Sequence, residues 1–445
     1  MKIFRNFNLY SKLFLFCIIK FFYAYPLMVI VMDIIVSGKS ELKGTVSCLG
    51  AKNAAIPLLC ASLLAKGKVL FRNVPRISDI FDLCEIIRYL DCRVVFKGHT
   101  LLIDNSNLKY KPLDLDVCKR IRGSYYFIGV FLALFSKCEI CLPGGCKIGE
   151  RPMDAHLQAF LDLGFRYTIE DKILTVYKTN TIAEASIELT KKSVGATLNA
   201  LFAGISLNTF ELKNGLFEPE GQDVIRFLQK IGYDISYQEN VVHYKKSSLE
   251  FKLVKHTIIP DRIEAITYTV LGLLAGEMTI KKVNTLDIAY PLEILKTAGY
   301  DISYTENEII SKRSFGKEIQ LTTDVYPGFP TDLQSIFGVL FVHTIGTSTM
   351  KETIFENRMQ IYKDLKESGV DCTITGNVAT VCGTNQIKSK DYIAYDLRHG
   401  VAVLMLAMIG DKKSMISNFE YVLRGYDDIL RKIKLLGGRI EIVKE

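Results

Sequence analysis

Six short fragments recur along the chain: YLDCRVV, DLGFRYT, KIGYDIS, TAGYDIS, ESGVDCT and LLGGRIE. Each reads as the end of an amphipathic helix, a turn and an alternating strand. The turn residues, Asp91, Gly164, Gly232, Gly299, Gly369 and Gly437, stand between 67 residues (232 to 299) and 73 residues (91 to 164) apart. A period of that length, sustained over most of the chain, restricts the fold to copies of one supersecondary unit. Glycine at five of the six turns fits a helix C-terminus closed by a residue with positive φ.

Each unit carries a second helix of different character: AAIPLLCASLL, YYFIGVFLALF, ATLNALFAGI, ITYTVLGLLAG, SIFGVLFVHTI and VAVLMLAMIG. These segments are apolar nearly all round, which marks a helix buried on every side. They are too short to cross about 30 Å of hydrocarbon. Pro57 is expected in the first turn of its helix, where a missing N–H costs little. Buried helices inside half-alternating strands imply an inverted α/β fold: two inside-out α/β barrel domains, three units each, with the sheets as walls. The expected boundaries are 52–260 for one domain and 32–51 plus 261–445 for the other, so the opening strand pairs into the C-terminal domain and two chain crossings form a hinge. Residues 1–31 stand apart. They are strongly apolar, with Lys2, Arg5, Lys12 and Lys20 and no acidic residue, and read either as a targeting or anchoring segment or as an over-extended start before Met32.

Composition narrows the functional classes. The formal charge is +8, from 56 basic and 48 acidic residues, but four of the basic residues lie in that leader. The remaining balance is weak for a polyanion binder, and no stretch interleaves basic and aromatic residues as a nucleic-acid platform does. Eleven cysteines are scattered through apolar runs, which fits a reducing compartment. Cys138 and Cys141 form a C-x-x-C, yet KCEICLP reads as a strand, where residues three apart point to opposite faces. No metal site is expected there.

Polar residues collect where the buried helices begin: GAKN with Lys52 and Asn53, IRGS with Arg122, KKSVG at Lys191 to Gly195, PDRIE with Arg262, FPTD with Asp332 and YDLRHG with Arg398. The loops before amphipathic helices add Arg151, Glu218 and Glu220, Arg358 and Arg424. Helix N-termini offer free N–H groups and positive potential, and arginine captures phosphate or carboxylate bidentately. Together these residues imply a cleft for a heavily anionic substrate. Cys146, in LPGGCKIGERP, hangs from a glycine-rich loop beside Arg151. Nearby cations favour its thiolate and a bound polyanion favours the thiol again. A thiol nucleophile wants a histidine base; His156 is near in sequence and His399 is a more distant candidate.

The motifs GAKNAA, LPGGCKIGERPMDAH, KKSVGAT, EPE, PDRIE, FPTD, FENR, DLR and RGY, in that order, resemble those of the UDP-N-acetylglucosamine 1-carboxyvinyltransferases, enolpyruvyl transferases that open peptidoglycan precursor synthesis. The likeness runs from about Ile34 to the C-terminus. It implies a cytoplasmic enzyme, active in cell-wall synthesis and a target of fosfomycin, whose fold is the two-domain, sixfold arrangement above. Its partners are two small molecules, phosphoenolpyruvate and UDP-N-acetylglucosamine, with no nucleic acid. It implies no metal or organic cofactor, since acid-base and electrostatic chemistry suffice.

By the same resemblance Cys146 is the general acid that protonates C3 of phosphoenolpyruvate, and Asp332 binds and deprotonates the sugar 3-hydroxyl. Lys52, Arg151 and Arg424 surround the phosphoenolpyruvate anion, with Arg122, Arg358 and Arg398 adding charge to the cleft. Asn53 contacts the sugar. Arg151, Pro152, Met153, Asp154 and Ala155, then Lys191, Lys192, Ser193, Val194 and Gly195, and Ile354, hold the nucleotide. Glu150, Lys192, His399 and the absence of an acidic residue before Arg424 depart from the usual pattern and bear on affinity. Two other readings stay open: a 5-enolpyruvylshikimate-3-phosphate synthase-like transferase, against which PGGC and the nucleotide segment argue, and a membrane-anchored, non-catalytic polyanion-binding protein.

Overall fold

A computed structural model describes residues 31–142, 153–179 and 182–443. The leader up to residue 30 and the loop carrying Cys146, Glu150, Arg151 and Pro152 lie outside them. The fold is a mixed α/β arrangement in which one sheet pattern recurs. In the simplest copy, Glu184–Glu188 runs parallel to Thr209–Lys213, which pairs antiparallel with Val241–Lys245, which closes a hairpin with Asp234–Gln238. The same order, parallel edge then antiparallel hairpin, is repeated by Lys252–Thr257, Gly67–Arg72, Thr100–Asp104 and Arg93–Lys97. It recurs from Leu42–Ser47 through Gly276–Lys281 and from Gln320–Thr322 through Thr347–Lys351. Where Lys137–Cys141 leads the pattern, the parallel partner shrinks to a single bridge between Leu113 and Ile140.

The sixth copy is completed from the other end of the chain. Ile34–Ser37 lies between Lys413–Ser417 and Ile440–Ile442, antiparallel to both, in the place a hairpin strand takes elsewhere. The sixth unit ends one strand short, and the opening strand satisfies the ladder groups that would otherwise be left at an edge.

All six turn residues have positive φ, from 64° at Asp91 to 121° at Gly232. Asp91 is the one non-glycine among them. Aspartate tolerates the left-handed region better than most residues, and Lys109 and Lys111 pair with its carboxylate.

The second-type helices are buried as their composition requires. In Arg262–Ala275 every residue is buried, and in Leu397–Ile409 every one from Arg398 to Met408. Gln334–Leu340 is shorter than its apolar run and passes into the 3₁₀ turn Phe341–His343. Pro57 departs from expectation. Its helix begins at Lys52, so the proline sits in the second turn, where it has no N–H to offer the Asn53 carbonyl.

Buried apolar side chains form two clusters, one drawn from Ala51 to Ile258, the other from Ile34 to Cys48 together with Ile263 to Ile440. The chain passes between them twice, side by side. Ala51 N–H donates to Ile259 O and Asp261 N–H to Leu49 O, both at 2.8 Å. Among the described residues no helix is long and apolar enough to cross a membrane.

Candidate active site

The helix starts that flank these crossings bring three ionic groups together. Asp261 organises the first approach. Its Oδ1 caps the Arg262–Ala275 helix by accepting from Ile263 and Glu264 N–H at 2.9 Å, while Oδ2 accepts the Lys52 backbone N–H at 3.1 Å. One carboxylate thus joins two buried helices at their N-termini, where backbone donors lack intrahelical partners.

The Lys52 side chain, 13% exposed, places Nζ 2.8 Å from Asp79 Oδ2. Asp79 also binds Arg424, with Nε at 2.9 Å and Nη2 at 3.4 Å. Burial lowers the Lys52 pKa, Asp79 opposes that shift and the Arg424 charge adds to it. Asp79 itself is held below the usual carboxylate range: the two cations outweigh its burial, which acts the other way.

The second group centres on Asp332, in the turn before Gln334–Leu340. Arg358 Nη2 lies 2.9 Å from Oδ1 and Arg398 Nη2 lies 2.7 Å from Oδ2. Both guanidiniums are anchored at their other ends. Arg358 donates to Thr331 Oγ1 at 2.8 Å, and that hydroxyl donates to Glu352 at 2.8 Å. Arg398 donates to the Tyr426 hydroxyl at 3.3 Å, which is 2.9 Å from Thr267 Oγ1. Although burial pushes the other way, the two guanidiniums hold the Asp332 carboxyl far below its ordinary range. It is therefore ionised, and a weak base while both arginines remain on it.

In the third group Arg262 is shared by Glu220 at 2.9 Å and Glu218 at 3.0 Å. Two carboxylates on one buried cation leave an excess negative charge, so burial raises Glu218 to about 7, with Glu220 and Asp332 reinforcing the shift and Arg262 resisting it. A folded-state pKa above the unfolded value means stability is fully present below about 4.5 and declines as pH rises to about 7. Glu218→Gln should accordingly flatten the fall in melting temperature across that window. An unchanged slope on thermal denaturation between those pH values would assign the titration to another group.

The three groups share one electrostatic neighbourhood, since Arg398 weighs on Lys52 and Asp332 on Arg262 and Glu218. The other expected residues sit on elements of their own. Asn53 is exposed beside Lys52, and Arg122 stacks over Tyr125 with its Cζ 5.4 Å from the ring centroid. Met153 and Ala155 are half-buried and Asp154 is exposed at the start of Asp154–Asp162. Lys191 and Lys192 are exposed ahead of Ser193, which caps Val194–Gly204 by accepting from Ala196 N–H. His156 packs on this cap so closely that a Cβ at Gly195 would come within 3.0 Å of its ring. Ile354, 38% exposed, donates its N–H to Glu352.

Both histidines are held by partners within their own domains. His156 faces Asn199 at 3.1 Å, and burial with the nearby Arg122 lowers it to about 4, so it is neutral. His399 Nε2 is 2.9 Å from Asp364, and its Nδ1 accepts the Tyr395 N–H. Both rings support helix starts.

Sequence reasoning missed Asp79, Asp261, Glu352 and Tyr426 as members of the network. For Asp79 a signal existed. It opens Ser78–Tyr89, the amphipathic helix of the first unit, as Arg151, Glu218, Arg358 and Arg424 stand near the corresponding helices of other units.

Residues 36–433 match the family described as EPSP synthase (3-phosphoshikimate 1-carboxyvinyltransferase). The chain belongs to this family of enolpyruvyl transferases, enzymes that take the enolpyruvyl group from phosphoenolpyruvate. Within it, the chain is 34% identical over 409 residues to the UDP-N-acetylglucosamine 1-carboxyvinyltransferase of Pelagibacter ubique, covering 91% of this chain and 98% of that one. It is 32% identical over 416 residues to the enzyme of the same name from Thermotoga maritima, covering 93% and 99%. In fold it is similar to the enolpyruvyl transferase NikO from Streptomyces tendae, with a TM-score of 0.85 at 20% identity over 93% of this chain and 99% of that one. It is also similar to EPSP synthase from Acinetobacter baumannii, with a TM-score of 0.74 at 16% identity over 93% and 100%.

Proposed function

We propose that the acceptor is the 3-hydroxyl of UDP-N-acetylglucosamine, so that the chain catalyses the cytoplasmic reaction opening peptidoglycan precursor synthesis. The observation that carries this reading is identity above 30% to carboxyvinyltransferases of that name along almost their whole length. The site chemistry agrees with it. Cys146 delivers a proton to C3 of phosphoenolpyruvate, making C2 electrophilic; the sugar hydroxyl adds to C2 and gives its proton to Asp332; loss of a C3 proton and of phosphate then leaves the enol ether. Lys52, Arg424 and Arg151 take the phosphoenolpyruvate anion, Arg122, Arg358 and Arg398 add positive potential, and the Arg151–Ala155 and Lys191–Gly195 segments with Ile354 hold the nucleotide. We place the two inside-out domains at 52–260 and at 32–51 with 261–445, and their approach completes the site.

The family match keeps shikimate 3-phosphate as the competing acceptor. Phosphate release from phosphoenolpyruvate, measured with each acceptor separately, should appear with UDP-N-acetylglucosamine and stay at background with shikimate 3-phosphate. Turnover with shikimate 3-phosphate alone would overturn the assignment.

A further inference from the structure

Asp79 is a fully engaged charge at the Lys52 end of the site to which neither motif nor resemblance gives a role. It is 3% exposed and divides its carboxylate between an ammonium and a guanidinium, Lys52 at 2.8 Å and Arg424 at 2.9 Å. The two cations come from different parts of the fold. Lys52 opens a helix of the first apolar cluster, and Arg424 ends the turn Phe419–Arg424, whose Phe419 and Val422 pack in the second. Just ahead of the Asp79 helix, the Arg76 backbone N–H donates to Asp427, three residues beyond Arg424. A carboxylate gripped by these donors has the charge and hydrogen-bonding pattern that an anionic ligand would present to them.

We infer that Asp79 is a positioning residue that stands in for the phosphate of phosphoenolpyruvate, holding Lys52 and Arg424 together when no anion is bound and competing with the anion for the same donors. This rests on the reading above that Lys52 and Arg424 receive that anion. Two opposed consequences follow from the charge. Asp79 stabilises the protonated form of a buried lysine, against burial and the Arg424 and Arg398 charges, which disfavour it. It also lowers the positive potential that draws phosphate in, so it weakens anion binding and helps the leaving phosphate depart. A residue that merely held the fold would affect affinity in the other direction, because losing it would misplace both cations.

Calorimetric titration of inorganic phosphate into the full chain at pH 6.5 separates these cases. Asp79→Asn should bind phosphate about tenfold more tightly, the scale expected for one charge removed a few ångströms away at intermediate dielectric. In turnover it should lower both KM for phosphoenolpyruvate and kcat, because phosphate leaves more slowly. Asp79→Glu, which restores the charge, should bind within about threefold of the parent chain. Asp79→Ser makes the same charge change with less volume, so the result does not hang on one variant folding. Unchanged or weaker phosphate binding in folded Asn and Ser variants would overturn the inference, as would failure of both to fold. Arg424→Ala tells the two readings apart. If it weakens phosphate binding while Asp79→Asn fails to tighten it, only the inference falls; if it leaves binding unchanged, the anion-site reading falls and the inference with it.

Discussion

Cys146→Ser is expected to lower kcat by about 1,000-fold at neutral pH, within the range that general acids contribute, with phosphate release as the readout. A serine hydroxyl is a far weaker acid than a thiol, so it cannot deliver the proton that makes C2 of phosphoenolpyruvate electrophilic. Cys146→Asp should keep part of the activity and favour lower pH, since a carboxylic acid donates a proton when it holds one. The same thiol should be alkylated by an epoxide analogue of phosphoenolpyruvate such as fosfomycin. The environment of the other cysteines sharpens that test. Of the nine described, eight are buried and Cys382 is half-buried. Burial pushes Cys84, Cys92 and Cys118 up to about 12. Buried neutral thiols react slowly, because the thiolate is the nucleophile. Mass spectrometry finding the adduct on Cys382 rather than Cys146, or full turnover in the serine variant, would remove Cys146 from the chemistry.

What could be read from the chain and what could not divide along physical lines. The repeat was legible because it is written in local terms: a residue able to take positive φ after each amphipathic helix, and an apolar run that only a buried helix can use. Asp91 fits although it is no glycine, since its left-handed φ is the same requirement met by another residue. The helix starts were legible as places where charged residues collect. The pairing among charges was not. Asp332 belongs with Arg358 and Arg398, and Arg262 with Glu218 and Glu220, across separations that no local pattern encodes. Asp79 was overlooked because an acidic residue in the first turn of a helix is ordinary, and its function comes from Arg424, 345 positions away. Even so, the repeat pointed to it. The two units for which no residue was singled out before the amphipathic helix hold Asp79 and Asp287. The latter lies close enough to Glu220 and Arg262 for both to affect its pKa.

Asp332→Ala should cut kcat by two to three orders of magnitude while changing the affinity for UDP-N-acetylglucosamine only a few-fold, because the segment proposed to hold the nucleotide, Lys191–Gly195, is untouched. Between Arg358 at 2.9 Å and Arg398 at 2.7 Å, the carboxylate is a weak proton acceptor in the free protein. On the proposed function it would become an effective base only as those guanidiniums turn to the phosphoenolpyruvate anion, which would tie proton removal from the acceptor to the presence of that anion. A pH profile checks this. With its pKa held below the ordinary value of 3.8, Asp332 stays ionised throughout the working range, so any acid limb in kcat/KM belongs to another group and should survive in the residual activity of Asp332→Asn. The stability sign follows the same shift. Asp332 contributes stability above its unfolded pKa, and that contribution is lost only as pH falls below it. Asparagine keeps hydrogen-bond acceptance toward one arginine and should unfold at a higher temperature than alanine, so melting curves separate lost chemistry from lost structure. Asp332→Glu should recover little, since one added methylene moves the carboxylate by about 1 Å, enough to cost about 100-fold. Full turnover in the alanine variant, with the parent melting temperature, would show that another group takes the hydroxyl proton, and Glu218, raised to about 7 and within reach of the Asp332 charge, would be the first to test.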